Sequence, residues 1–358
     1  MERETAAPAL PLNSRLYADS LDKMLATVDG AALGGKSFLI TGATGMIGSC
    51  LVDALMRWDE GQTEPCRVIA LSRNRAAAEK RFGYCWDSPQ FSHCEQNVCA
   101  EMRELPHPVD YIIHAASNAD PRSFAEHPVD TLMANVMGCS RLLEYGRQHD
   151  IKRFLYISSG EMYGQPGPDG AAFTEDYCGP VDYSNARACY PAGKRAGEVL
   201  CQSYRSQYGV DTVLVRPCHV FGPTMTRRDS RAVSEFLWSA VDGKDIVLKS
   251  AGLVERSHCY VIDAAGAILC VLLRGASGQA YNIADPKYQM TIRAFAEKAG
   301  EAGACRVSIE APSELEAAGY SRIKRSVLSS EKLGKLGWTP SDDENSKIKE
   351  TVRILRGE

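Results

Sequence analysis

The chain has 358 residues, 44% hydrophobic and 24% charged, with 45 acidic against 41 basic side chains and a formal charge of −4. That is an ordinary globular composition with length for one large or two interlocked domains, and without the basic stripe a nucleic-acid partner needs. No run approaches the ~20 apolar residues that span a bilayer, residues 1–35 hold no signal-peptide-type apolar core, and thirteen cysteines without one Cys-x-x-Cys pair argue against a disulfide framework or a zinc site, so a cytoplasmic, metal-free protein with buried thiols is expected.

In chain order, Tyr17 to Val28 carries the spacing of a short amphipathic helix lying outside the fold. Phe38-Leu39-Ile40 is an apolar strand that runs into Thr41-Gly42-Ala43-Thr44-Gly45-Met46-Ile47-Gly48, after which Ile47, Leu51, Val52 and Leu55 follow a helical period. A strand, a glycine turn and a helix in that order bring backbone close to a pyrophosphate at the positive helix N-terminus. The second strand, Val68 to Leu71, ends in Ser72-Arg73-Asn74, where users of NAD often place an acid for the ribose hydroxyls. NAD is the expected cofactor; Arg73 leaves NADP open through a 2′-phosphate contact.

Further apolar runs at Tyr111–His114, Phe154–Ser158 and Thr212–Val215 alternate with helical stretches, which predicts an α/β fold with a doubly wound parallel sheet of the Rossmann type. Ligands then gather at the carboxyl ends of the strands. Beyond residue 220 the alternation loosens, and the short strands Ile246–Leu248 and Ala280–Ile283 are assigned to a smaller C-terminal substrate-binding lobe. The expected division is an extension over 1–35, a dinucleotide-binding domain over 36–220 and a mainly substrate-binding lobe over 221–358, interleaved with the domain before it. Arg227, Arg228 and Arg231 read as a solvated basic face.

Tyr190 and Lys194 stand four residues apart, one above the other on a helix face. A phenol is a poor base at neutral pH, and a neighbouring ammonium is expected to pull its pKa toward the working range, giving a group that deprotonates an alcohol during hydride transfer. The spacing alone is common by chance. Joined to the glycine turn some 140 residues upstream it becomes specific.

The Gly-x-x-Gly-x-x-Gly turn and the Tyr-x-x-x-Lys pair resemble the extended short-chain dehydrogenase/reductase superfamily, from about residue 36 to Trp338, and within it the sugar-nucleotide epimerases, dehydratases and decarboxylases. The resemblance extends to His114-Ala115-Ala116-Ser117, to Ser158-Ser159, to Arg216-Pro217-Cys218-His219-Val220-Phe221-Gly222-Pro223 and to Leu336-Gly337-Trp338. It implies catalytic roles for Tyr190, Lys194, Ser159 and Glu161. It implies cofactor contacts from Gly42, Thr44, Gly45, Met46, Ile47 and Gly48 in the turn and from Arg73, Asn97 and Val98 further along. Further cofactor contacts fall to Ala115, Ala116, Ser117, Pro217, His219 and Val220, with Tyr190 and Lys194.

Glu175-Asp176-Tyr177, Arg187-Ala188-Cys189-Tyr190, Gly193-Lys194-Arg195 and Arg231-Ala232-Val233-Ser234 look most like the UDP-glucuronate decarboxylases. That likeness implies substrate contacts from Arg187, His219, Arg231, Arg256 and Arg325, a nucleotide-sugar substrate and a homodimer through helices near Pro128–Tyr145 and Arg187–Tyr204. Three positions depart from it: Gly160 replaces a serine (an aspartate in 4,6-dehydratases), Thr224 an arginine and His219 an asparagine. Without an acid at 160 to protonate a leaving 6-hydroxyl, 4,6-dehydration is disfavoured. Decarboxylation is the main expectation, 4-epimerisation by the same machinery the alternative, and a non-catalytic dinucleotide-binding sensor or scaffold the non-enzymatic one.

Overall fold

The computed structural model describes residues 11–167, 170–310, 325–341 and 346–358; residues 1–10 of the expected N-terminal extension lie outside the described set. The first helix, α1 (Arg15–Leu25), is followed by β1 (Ser37–Thr41), α2 (Met46–Asp59), β2 (Arg67–Ser72), α3 (Arg75–Phe82), β3 (Phe91–Glu95), β4 (Tyr111–His114), α4 (Pro121–Glu126), α5 (Pro128–Gln148), β5 (Arg153–Ile157), α6 (Cys189–Tyr208) and β6 (Thr212–Pro217). After these come β7 (His219–Phe221), α7 (Ala232–Asp242), β8 (Ile246–Leu248), β9 (Glu255–Tyr260), α8 (Val261–Arg274), β10 (Ala280–Ile283), β11 (Asp285–Thr291), α9 (Ile292–Gly303), β12 (Val307–Ile309) and β13 (Arg325–Ser326).

Seven strands form one parallel sheet in the order β10-β6-β5-β4-β1-β2-β3. The inner strands are largely apolar on both faces because helices cover both. Phe38 and Ile40 of β1 join the core that α2 and α8 complete, whereas Leu39 points to the opposite layer with Leu142 of α5 and Cys201 of α6. The strand order reverses between β1 and β4, so the turns after these two strands diverge and leave a crevice at their carboxyl ends.

Two placements correct the sequence reading. Ala280–Ile283 is not part of the smaller lobe: it is the edge strand β10 of the main sheet, parallel to β6. β3, which the sequence reading did not assign, closes the opposite edge beside β2. The second sheet, β11-β9-β13 with β7 also paired to β9, grows directly from the end of β6, and β8 pairs with β12 in a separate parallel ribbon.

The outer helix α1 is fixed by buried polar bonds as well as by Leu21 and Met24. Tyr17 donates to Asp53 of α2 at 2.8 Å, Tyr84 donates to the same carboxylate at 2.9 Å, and Arg81 forms an ion pair with it. Ser20 reaches Glu350 of the C-terminal helix Lys347–Leu355 at 2.6 Å. All thirteen cysteines are free thiols, and no helix among the described residues is long and apolar enough to cross a membrane.

Candidate active site

The glycine turn forms one wall of a cavity of about 300 Å³ at the sheet crossover. Gly42 has φ +64°, which favours glycine, and a Cβ there would stand 2.8 Å from the carbonyl of Ala115 and the backbone of Ala116. The turns after β1 and β4 can approach this closely only without a side chain. At Gly48 a Cβ would come within 2.4 Å of the Gly42 carbonyl, so the third glycine lets α2 start hard against the turn. Gly45 precedes the helix, and a Cβ on it would meet only the Gly42 carbonyl at 3.1 Å. The result is an open helix N-terminus at the cavity wall, a cradle that a side chain would fill and that suits the pyrophosphate of a dinucleotide.

The opposite wall comes from the ends of β5 and β6 and the start of α6. Tyr190 and Lys194 both line the cavity, with Ser159 and Glu161. Lys194 is buried, donates to the Ile157 carbonyl at 2.7 Å and lies 5.6 Å from the centre of the Tyr190 ring. Tyr190 stacks on Phe124 of α4, centroids 4.6 Å apart. Ser159 accepts the Glu161 N–H at 3.2 Å, and its hydroxyl lies close enough to the Tyr190 phenol to favour the ionised form. Glu161 is held by Arg187 at 2.8 Å, and the same guanidinium lies over the Phe124 ring at 4.4 Å.

The electrostatics correct one expectation. Burial pushes the Tyr190 phenol up to about 12, reinforced by the Glu161 carboxylate; the Ser159 hydroxyl and the charges of Arg231 and Arg187 pull it down, and less strongly. Burial also pushes Lys194 down, to about 7. In the protein without ligand, desolvation therefore outweighs the ammonium effect read from the Tyr-x-x-x-Lys spacing.

Gly42, Gly45, Met46, Ile47, Gly48, Ala115, Ser117, Pro217, His219, Val220 and Arg231 all lie on the cavity wall. Arg231 donates to the Val220 carbonyl at 3.0 Å and pairs with Asp229, while Thr224 donates to the Met46 carbonyl at 2.9 Å, tying the segment after β7 to the glycine turn. Thr44 and Ala116 sit beside the wall rather than on it, the Ala116 N–H bonding the Thr41 hydroxyl at 3.2 Å. Arg73 and Asn97 are exposed at the ends of β2 and β3, and Val98 is buried against Gly138 in the core.

Three expected substrate groups are not on the wall. Arg187 is turned to Glu161, as above. Arg256 is buried on β9, and burial pushes its guanidinium down to about 10 while the nearby Glu161 charge acts the other way. Arg325 is paired with Glu255 at 2.8 Å and also donates to the Gly170 carbonyl.

Sequence reasoning missed Asp120, Thr226, Arg228, Asp229, Ser326 and Leu328, which also line the cavity. Leu328 packs close over Gly160: a Cβ at 160 would meet its methyl groups at 3.1 Å and have to push them back slightly. Nothing in the local sequence couples positions 168 residues apart.

A crossover crevice over a glycine turn, in a seven-stranded parallel sheet, defines the fold of a Rossmann-type dinucleotide-dependent enzyme. The chain belongs to the NAD dependent epimerase/dehydratase family, whose pattern it matches over residues 38–284, and is thus an NAD-dependent enzyme of the extended short-chain dehydrogenase/reductase type. It is 32% identical over 248 residues to UDP-glucuronic acid decarboxylase 6 of Arabidopsis thaliana, covering 69% of each chain. It is 28% identical over 327 residues to UDP-glucuronic acid decarboxylase 1 of Xenopus tropicalis, covering 90% of this chain and 73% of that one. Among solved structures, UDP-N-acetylglucosamine 4-epimerase from Methanobrevibacter ruminantium superposes with a TM-score of 0.75 at 22% identity, over 90% of this chain and 98% of the other, a likeness of fold.

Proposed function

We propose that the protein oxidises the 4-hydroxyl of a nucleotide-linked sugar to a ketone and, with UDP-glucuronate as substrate, releases carbon dioxide before the ketone is reduced again. The observation that carries this reading is the convergence of Tyr190, Ser159, Lys194 and Glu161, itself held by Arg187, on one cavity whose far wall is the glycine turn. NAD, when bound, supplies the acceptor and then the donor of hydride. The cradle at Gly42, Gly45 and Gly48 fits its pyrophosphate, and Pro217, His219 and Val220 line the end of the cavity shared with Tyr190.

The phenol oxygen of Tyr190, once deprotonated, takes the proton of the 4-hydroxyl as the C4 hydrogen departs as hydride. The Ser159 hydroxyl steadies the charge that develops on the same oxygen, and Lys194, Arg187 and Arg231 supply the positive charge that offsets burial of a phenolate. The new ketone is β to the sugar carboxylate. The C5–C6 bond then breaks, its electron pair forms the C4–C5 enolate, and carbon dioxide leaves. Glu161, fixed by Arg187, positions the water that returns a proton to C5, and Tyr190 gives its proton back to the 4-oxygen as C4 is reduced.

The substrate contacts assigned to Arg256 and Arg325 belong to this reading with one condition: each has to turn from its present partners toward the sugar nucleotide. A homodimer is part of the same proposal, because α5 and α6 leave Val129, Leu132, Met133 and Val199 exposed. Incubation with UDP-glucuronate tests the function. Release of carbon dioxide with a UDP-pentose supports it; a mass-neutral product replaces it with 4-epimerisation, and no turnover with any sugar nucleotide replaces it with a binding role.

A further inference from the structure

His219 of β7 and His258 of β9 are register partners in a parallel pair, with ring centroids 5.9 Å apart. His219 lines the cavity, whereas His258 is fully buried behind it. The Nδ1 atom of His258 lies 3.1 Å from the Tyr288 carbonyl. A carbonyl only accepts, so Nδ1 carries the proton. Burial pushes this imidazole down to about 4, with Arg256 and Arg231 adding to the effect while the carbonyls of Tyr288 and Arg256 oppose it. The ring is therefore neutral and holds a single proton, which leaves Nε2 a bare acceptor. That Nε2 is buried and has no hydrogen-bond partner among the described residues, a costly state for a polar atom. Phe295, which packs on the same ring at 4.9 Å, offers no donor.

We infer that His258 sets the tautomer of His219: the bare Nε2 takes the nearer N–H of His219 through one water, and His219 turns a lone pair toward the cavity. Burial beside His258, Arg256 and Arg231 keeps the His219 ring neutral too, so it cannot offer an N–H on both sides. In the cavity His219 is an acceptor. It selects a donor, either the carboxamide N–H of nicotinamide or a sugar hydroxyl, and repels phosphate or carboxylate oxygens. His258 is a positioning residue, and the identity of these two ligands rests on the function proposed above. An asparagine at 219 could present either its oxygen or its amide to a ligand; the histidine pair fixes one choice.

Nitrogen-15 NMR of histidine-labelled protein at neutral pH tests the tautomers without any turnover, with signals assigned from His219→Asn and His258→Phe. The expected result is Nδ1–H in His258, and in His219 one protonated nitrogen facing His258 and one bare nitrogen whose signal moves on ligand addition. A shift with NAD alone assigns the carboxamide, and a shift only with UDP-glucuronate assigns the sugar. His258→Phe should mix the His219 tautomers and weaken that ligand's binding about fivefold to tenfold, the loss of about one hydrogen bond. His258→Gln, whose amide oxygen can accept, should restore both tautomer and affinity. A proton on Nε2 of His258, a His219 tautomer unmoved by His258→Phe, or a His219 signal that ignores both ligands overturns the inference. Should His258→Phe not fold, the native spectrum and His258→Gln still decide. If the tautomers are as stated but UDP-glucuronate is not turned over, the proposed reaction fails and the coupling of the two histidines stands.

Discussion

Lys194 donates to the carbonyl of Ile157 at 2.7 Å, a bond that crosses from α6 to the carboxyl end of β5 and buries the lysine head beneath the Tyr190 ring. The carbonyl satisfies one donor, but burial still holds the folded-state pKa near 7 against an ordinary value of 10.5. Between those values the unfolded chain binds a proton that the folded chain does not, so this group makes stability rise with pH from about 7 to about 10.5. Tyr190 acts oppositely, retaining its proton in the folded state from 10 to about 12, so its contribution falls as pH rises through that range. Lys194→Met should be more thermostable than the parent at pH 7, and the gap should close by pH 10. A gap that stays constant or widens with pH would show that Lys194 is not desolvated as described.

The glycine turn makes a steric prediction. Gly42→Ala and Gly48→Ala drive a Cβ to 2.8 Å and 2.4 Å from backbone oxygens that cannot move aside, with positive φ adding strain at 42. Each should lower NAD affinity at least about tenfold, about 1.4 kcal/mol, by isothermal titration. Gly334→Ala, where a Cβ meets nothing within 4 Å, is the control and should bind NAD normally.

The buried Asp53 carboxylate joins α1, α2 and the Arg81–Tyr84 segment. Asp53→Leu leaves the Arg81 guanidinium without its counter-charge, and a loss of about 3–5 kcal/mol is expected in urea unfolding. Tyr17→Phe removes one hydrogen bond and should cost about 1 kcal/mol. Equal losses in the two variants would show that the Arg81 ion pair adds nothing beyond the Tyr17 hydrogen bond.

These two features differ in how well the sequence announces them. The strand, turn and helix at residues 38–55 are local, and their glycines and apolar spacing are read without knowing any distant contact. Likewise Tyr190 and Lys194 share a helix face because of period alone. β3 escaped notice because Phe91-Ser92-His93-Cys94-Glu95 is a half-buried edge strand whose polar residues hide the apolar signal. β10 was misplaced because sequence order does not say which sheet a short apolar run joins. The Glu161–Arg187 pair, the Phe124–Tyr190 stack and the packing of the Leu328 methyls close over Gly160 all join segments distant in sequence, and so does the dry environment that overrides the Tyr/Lys charge effect.

Cofactor choice turns on Arg73, exposed just past β2 in a Ser72-Arg73-Asn74 segment that itself carries no acid; Asn74 is occupied in capping α3 by accepting the Ala77 N–H at 2.9 Å, and the Glu95 carboxylate at the end of β3 accepts the Arg75 N–H. With NAD as the working cofactor, Arg73→Ala should leave NAD affinity within about twofold and weaken NADP about tenfold, the worth of one charge-assisted hydrogen bond. Titration of both cofactors against both proteins checks it. A larger loss for NAD than for NADP would place Arg73 elsewhere.

In the proposed reaction the Tyr190 oxygen takes the 4-hydroxyl proton while C4 loses hydride. Mixing NAD-loaded protein with UDP-glucuronate in a stopped-flow instrument and following the absorbance of the reduced nicotinamide tests it most directly. The native protein should show a transient rise and fall as the ketone forms and is consumed, and Tyr190→Phe, binding both ligands normally, should slow the rise by about 10²–10⁴. A Tyr190→Phe protein that reduces its cofactor at the native rate, or native protein that yields product with no reduced cofactor at any time, would rule out this role for Tyr190.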